Sequence, residues 1–174
     1  MRQVTDTFTR ATVVIRRVLR GGSLLLLPVV SLLLTVSCNQ SPRCLEETDV
    51  FLHARFLTLD EGQDRDTMLT DTRIYGLGRE DSLLADGAVH KINLPMNAHH
   101  DSCAFVIATG VQKDTLTFRY SRSTRLLSFE CGFIAEFSDL RVAATGHFID
   151  SVAVVSDLVT NTDDENVKIY IFRD

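Results

Sequence analysis

The sequence predicts an all-β fold, an antiparallel β-sandwich of seven to eight strands with an immunoglobulin-like arrangement, behind an amino-terminal signal. Short apolar runs alternate with polar residues, turn-rich clusters separate these runs, and no long helical pattern follows Thr48. A small closed barrel is the alternative. The chain contains no Trp, so the buried indole typical of immunoglobulin domains is missing.

The clearest predicted strand covers residues 126–137. Its odd positions are apolar and its even positions include Glu130 and Glu136, a period of two that predicts one face in the core and one in water. Cys131 would then point inward. The same alternation or shorter apolar runs predict strands at 50–56, 72–77, 89–94, 103–109, 116–120, 148–155 and 167–171.

Turn-forming residues separate these predicted strands. They are Asp, Asn, Gly and Pro for the most part, which favour turns because of their backbone preferences. The clusters lie at 60–64, 85–87, 95–101, 110–114 and 161–166.

Residues 1–37 are typical of a secretory signal peptide. Arginines such as Arg16 and Arg17 precede an apolar run at 24–36, which ends on the small residue Ser37. Because a cysteine follows, the pattern is that of a bacterial lipoprotein signal, in which Cys38 is acylated and becomes the first mature residue. A retained membrane anchor is the alternative, although the run is shorter than the about 20 apolar residues of a spanning helix.

Downstream of the signal, residues 38–47 form a polar, lipidated tether and residues 48–174 form one sandwich domain. The whole chain has a net charge of −5, and loss of the arginine-rich signal makes the remainder more acidic. An acidic domain repels phosphate backbones, so nucleic acid is not an expected partner. If Cys38 carries lipid, three cysteines remain, which predicts one pair and one leftover thiol in an oxidising compartment.

Several segments resemble a family of short, uncharacterised lipoproteins from Bacteroidetes that is known only as a domain of unknown function. The segments are SPRCL at 41–45 after Cys38, LSFECG at 127–132, IDSV at 149–152 and ENVKIY at 165–170. The resemblance implies location and architecture but no activity. Cys44 and Cys131 match the family's pattern, which favours their pairing and leaves Cys103 reduced. The residues after Cys38 lack the acidic run of surface-displayed lipoproteins, so by analogy the domain faces the periplasm from the outer membrane.

Three clusters contain residues that can bind metals, but none predicts a metal site. His99, His100 and Asp101 precede Cys103, yet adjacent residues of an extended chain point to opposite faces, which favours a solvated loop. The acidic groups could bind calcium weakly, although turn chemistry explains their composition. These groups are Asp60, Asp64 and Asp66 in one loop and Asp163, Asp164 and Glu165 in another.

We therefore expect no catalytic residues, no metal and no cofactor. No serine lies in a nucleophile-elbow motif and no phosphate-binding loop is present in the sequence. The sequence leaves the biochemical function unknown. It favours a lipid-anchored accessory or structural protein of the cell envelope, with the membrane and an envelope protein as partners. The alternative is a ligand-binding module for a glycan or calcium.

Overall fold

The computed structural model describes residues 43–172, which form ten strands and no helix. The predicted all-β class is therefore confirmed for this part of the chain, although it has ten strands where seven to eight were predicted. No helix in it has the length and apolar character needed to cross a membrane. The strands are β1 Phe51–Asp60, β2 Gln63–Asp66, β3 Leu69–Gly76, β4 Leu83–Val89, β5 Lys91–Pro95, β6 Ser102–Thr109, β7 Gln112–Ser128, β8 Gly132–Ala144, β9 Ser151–Val154 and β10 Glu165–Tyr170.

The first sheet is built around β1 and β10. One edge of β1 pairs with β10, and β10 pairs in turn with β9. The other edge of β1 pairs with β5 along its first half and with β2 along its second half. The β1–β10 pair is parallel, so the prediction of a wholly antiparallel fold is wrong for this sheet. A parallel pair needs a long connection, and here the rest of the domain provides it because β1 and β10 are its first and last strands.

The second sheet is entirely antiparallel and has the order β4-β3-β6-β7-β8. A turn of two residues, Gly110 and Val111, joins β6 to β7. Gly110 has a φ of 55°, in the left-handed region that tight hairpin turns require and glycine adopts without strain. The chain crosses between the sheets at the β2–β3, β4–β5, β5–β6 and β8–β9 connections, which tie the two sheets together.

Side chains from both sheets bury one shared core, which makes the fold sandwich-like. The alternating positions of β1, β7 and β10 face inward as predicted, and edge-on aromatic contacts join Phe105 to Phe118 and Tyr120 to Phe137. The domain has two separate sheets, so it is not the small closed barrel that the sequence left as the alternative. The immunoglobulin-like arrangement stays a prediction. The most deeply buried side chains are Leu52, Phe56, Ile74, Leu94, Ile107, Leu116, Phe118, Phe137, Ile149, Val159, Val167 and Ile169.

The predicted strand over residues 126–137 is wrong. A turn at residues 129–131 divides it into the end of β7 and the start of β8, and Gly132 follows with a φ of 76°. Phe129 and Phe133, which the alternation assigned to the core, are exposed instead. The apolar alternation runs through the turn without a break, so periodicity alone could not reveal the change of direction.

Two strands were predicted as turns. All four residues of β2 are exposed, so this strand has no apolar alternation to detect. The β4 strand contains Asp86 and Gly87, residues that sequence patterns assign to turns. Both lie at sheet edges, where pairing with a single neighbour suffices to form the strand.

Candidate functional site

The β7 strand extends beyond the core of the domain. It pairs with β6 only as far as Arg119, and from Ser121 to Ser128 it pairs with β8 alone. Its side chains are buried at alternate positions up to Tyr120 and exposed from Ser121 to Leu126. The outer half of the β7–β8 hairpin is therefore a two-stranded ribbon on its β7 side, whereas on its β8 side Ile134 and Phe137 are buried and Phe137 forms an antiparallel bridge with Val159. A two-stranded ribbon is only marginally stable by itself in water.

A disulfide between Cys44 and Cys131 attaches the turn of this ribbon to the start of the domain. It is the pair that the family resemblance favoured. Cys103 is the free cysteine among the described residues, as the pairing implied, although it is half-buried and not fully buried as expected. Cys38, the predicted lipidation site, lies outside the described residues.

Hydrogen bonds strengthen the same attachment. Arg125 on β7 forms an ion pair with Glu136 on β8 and donates to Asn161 Oδ1 at 3.0 Å. Asn161 in turn donates from Nδ2 to the carbonyl oxygen of Glu47 at 2.8 Å. Two chain segments that are distant in sequence, residues 44–47 and the loop at Asn161, therefore converge on the outer half of the hairpin.

Large apolar side chains are exposed at the end of this ribbon. We define the apolar tip as Leu45, Leu126, Phe129 and Phe133. Leu126 and Phe133 are cross-strand partners and share one face, Phe129 lies in the turn, and Leu45 follows the disulfide-bonded Cys44. Phe129 is 94% exposed and Phe133 is 70% exposed. A cluster of large exposed apolar side chains is typical of an interaction surface.

The residues of the predicted histidine cluster are not gathered around one point. The backbone N–H of His99 donates to Asn97 Oδ1 at 2.8 Å, and Asp101 forms an ion pair with Arg122 at 2.6 Å. Across residues 43–172 no group of three or more His, Cys, Asp and Glu side chains is placed to hold a metal ion. These contacts show that residues 97–101 form a hydrogen-bonded surface loop.

Cys103 lines an open cleft of about 740 Å³ between β6 and the loop at residues 95–99. Burial raises the pKa of the Cys103 thiol, so it stays protonated at neutral pH and is a poor nucleophile. Burial, together with the neighbouring Cys103, also raises the pKa of Tyr120. The Tyr120 hydroxyl accepts from the backbone N–H of Asn97 at 3.0 Å and donates to the carbonyl of Asn97 at 3.1 Å, which fixes one wall of the cleft.

The carboxylates of the first acidic loop are paired with cationic side chains. Asp64 accepts from Lys168 Nζ at 2.7 Å, and this hydrogen bond lowers the pKa of Asp64. Asp66 lies 3.4 Å from an Arg55 nitrogen, and Asp60 pairs with Arg65 at 2.9 Å. A calcium ion would have to displace these partners.

The second acidic loop is likewise engaged in local contacts. Glu165 forms an ion pair with Arg55, and Asp164 accepts from the hydroxyl of Thr162 at 2.9 Å. Asp163 is fully exposed, and its Oδ1 lies 3.9 Å from His53 Nε2. This loop therefore does not direct a set of oxygen ligands to one point.

Asp114 lies near the start of β7 and is only 1% exposed, although the sequence patterns placed it in a turn and did not mark it as a functional residue. Its Oδ2 accepts from the backbone N–H groups of Phe148 at 2.7 Å and Ile149 at 2.8 Å, and its carboxylate also binds Thr145 and His147. Burial alone would raise the pKa of Asp114, but these hydrogen bonds hold it well below its usual range. Asp114 therefore fixes the connection between β8 and β9.

The described residues define an all-β domain with two sheets, one shared core and one disulfide. The chain belongs to the family of unknown function DUF6452, whose profile matches residues 71–171, from β3 to β10. Comparisons with curated proteins and with solved structures give no match. The family description names neither an organism nor a lipid anchor, so both stay predictions.

Proposed function

We propose that this protein is a lipid-anchored accessory or structural component of the cell envelope, held on the periplasmic face of the outer membrane. It acts by contact with the membrane and an envelope protein, and not by catalysis. The observation that carries the proposal is the amino-terminal pattern, in which arginines, the apolar run at 24–36 and Ser37 lead to Cys38.

The disulfide between Cys44 and Cys131 supports an extracytoplasmic location. Disulfides form and persist in oxidising compartments such as the bacterial periplasm and are rare in the cytosol. This bond also lies close in sequence to the proposed anchor, since Cys44 follows Cys38 by six residues.

The chemistry of the described side chains supports contact over catalysis. The thiol of Cys103 has a raised pKa, and the carboxylates of the acidic loops are engaged by Arg55, Lys168 and other partners. The most unusual surface is apolar, at the end of the β7–β8 ribbon. We also keep the immunoglobulin-like arrangement of the strands as part of this proposal.

The mass of the intact protein, isolated from the envelope of its native cell, tests the proposal. We expect a chain that begins at Cys38 and carries the added mass of acyl groups. The Cys38→Ser protein should keep its signal and lack that mass, whereas the Cys103→Ser protein should be processed normally. A protein that begins at Met1 and stays in the soluble fraction would contradict the proposal.

A second experiment tests the envelope partner. The acylated protein, extracted with detergent and captured from native envelopes, should recover the same partner in independent preparations. The Cys38→Ser protein is the matched control because, without acyl groups, it should not reach the outer membrane. Repeated capture without any shared partner would count against an accessory role.

A ligand-binding module is the second candidate, and the cleft beside Cys103 favours it. The cleft is open and has backbone and polar groups from Asn97, Ser102 and Thr117 in its lining, a surface that suits a glycan better than a calcium ion. A thermal-shift panel of glycans and calcium separates the candidates. A ligand at a hundred times its dissociation constant stabilises the folded state by about 2.7 kcal/mol, and no shift across the panel would remove this candidate.

A further inference from the structure

We propose that the apolar tip, Leu45, Leu126, Phe129 and Phe133, contacts the surface of the lipid bilayer that holds Cys38. This inference rests on the proposed function, since the anchor determines which surface lies near the tip. It adds a second, non-covalent membrane contact and a fixed orientation for the domain. We assign lipid, and not a protein, as the partner of the tip, for the three reasons that follow.

The exposure of the tip is the first argument. Leu45 and Phe129 are each 94% exposed, and Phe133 is 70% exposed. Burial of a leucine or phenylalanine side chain stabilises the buried state substantially, so a cluster of them in water favours any apolar environment within reach.

The distance from the anchor is the second argument. The disulfide holds Cys44 against Cys131 in the turn of the hairpin. Cys44 follows Cys38 by six residues, and an extended chain spans at most about 3.6 Å per residue, so the residue that carries the acyl groups lies within about 22 Å of Cys44. The bilayer surface is thus always close to the tip, whereas a protein partner would have to compete with it.

The charge of the turn sets the depth of this contact. Glu130 lies between Phe129 and Cys131, and its carboxylate is costly to move into hydrocarbon. Apolar side chains of interfacial segments typically enter about 5–10 Å into the boundary between headgroups and acyl chains. The tip therefore matches the headgroup boundary and not the bilayer interior.

The attachment of the tip is the third argument. The disulfide and the hydrogen bonds of Arg125 and Asn161 hold the ribbon in one arrangement. Side chains on a fixed support lose little conformational freedom on binding, so even a small contact area can stabilise the bound state. Reversible insertion of two phenylalanines is the kind of weak interaction that a lipid anchor converts into stable attachment.

The absence of Trp from the chain makes a direct test available. Phe129→Trp and Phe133→Trp each introduce a single fluorophore at an exposed position of the tip. Val111→Trp is the matched control, because Val111 is fully exposed at the opposite end of β7, roughly 55 Å away for a strand of 17 residues. The full-chain proteins are incorporated into vesicles of phosphatidylethanolamine and phosphatidylglycerol whose acyl chains are brominated.

We expect the emission of Phe129→Trp and Phe133→Trp to be quenched by the brominated chains and shifted to shorter wavelength. Val111→Trp should keep its emission and its maximum. If the tip variants behave like Val111→Trp, the inference is overturned, and this is also the result expected when a protein occupies the tip.

The intact mass of the same samples separates this inference from the proposed function. Acylated protein without quenching at the tip would overturn the lipid contact and leave the anchor in place. Quenching at the tip of a protein that lacks acyl groups would support the lipid contact and contradict the anchor. Protein that lacks both acyl groups and quenching would overturn both.

Discussion

The two halves of β7 have the same backbone conformation but opposite environments. From Asp114 to Tyr120 the strand lies between β6 and β8, and every second side chain is buried. From Ser121 to Ser128 it has one neighbouring strand, and its side chains are mostly exposed. The first half is stabilised by burial and hydrogen bonds within the sheet, whereas the second is attached through Cys131, Arg125 and Asn161.

The difference shows how one strand can serve two purposes. A strand buried on one face is fixed in register by its apolar side chains. The outer half lacks that constraint and relies on a disulfide to a distant part of the chain. This arrangement leaves Phe129 and Phe133 available to an external partner, at no cost to the core.

Loss of the disulfide should have the largest effect on stability. Cys44 and Cys131 are separated by 87 residues, and the chain-entropy model gives a bond across such a loop a contribution of about 4.6 kcal/mol. Denaturant unfolding of the protein with and without reductant measures this change. The protein with both Cys44→Ser and Cys131→Ser is the control, and its stability should not respond to reductant. An unchanged midpoint on reduction of the native protein would show that the ribbon does not need the bond.

Asp114→Asn should have the next largest effect, a decrease of about 3 kcal/mol in the free energy of unfolding. The amide lacks the negative charge and cannot accept all the bonds that the backbone N–H groups of residues 147–149 donate. Chemical denaturation measures the change. Asp81→Asn, at an exposed position, is the matched control and should change stability by less than about 0.5 kcal/mol. Equal effects of the two substitutions would contradict the role of Asp114.

The contribution of Asp114 should also depend on pH. The pKa of this carboxyl is lower in the folded protein than the about 3.9 of an unfolded chain, so its stabilising effect is present above that value. The effect is lost as the pH falls towards the folded-state pKa, because the unfolded state then binds the proton more readily. The difference in stability between the native protein and Asp114→Asn should therefore shrink below about pH 4. A difference that stays constant from pH 7 to pH 3 would contradict this assignment.

Tyr120→Phe should have the smallest effect of the four, a loss of about 1 kcal/mol. The substitution keeps the ring against Phe137 but removes the hydroxyl that binds both backbone groups of Asn97. Thermal unfolding measures it. Tyr170→Phe is the control because the Tyr170 hydroxyl binds Asp64 at the surface, so its loss should matter less. A larger loss of stability from Tyr170→Phe than from Tyr120→Phe would contradict the stabilising role of the Tyr120 hydroxyl.

The sequence predicted the core of the fold better than its edges. Alternation found Leu52, Phe118 and Ile169, since a half-buried strand imposes a period of two on its side chains. It failed for β2, which is wholly exposed, and for the turn at 129–131, through which the period continues. The parallel pairing of β1 and β10 depends on contacts across the whole domain, so no local pattern could reveal it.

The candidate site was predictable only in part. The family resemblance indicated Cys44 and Cys131, but exposure of Phe129 and Phe133 could be seen only once β6 was known to begin at Ser102, beside Arg119. The position of Asp114 in the core could also have been predicted from the alternation of β7. Asp114 lies two residues before Leu116 and therefore faces the same side of the strand. The alternation of β7, continued towards the amino terminus, would have placed its carboxylate in the core.

Hydrogen exchange along β7, before and after reduction of the disulfide, tests the comparison between its two halves most directly. We expect reduction to accelerate exchange of the amides of residues 121–128 and to leave those of residues 114–120 protected, since only the outer half of β7 depends on Cys131. If both halves lost protection together, or if neither changed, the outer ribbon would not be a separately attached part of the molecule.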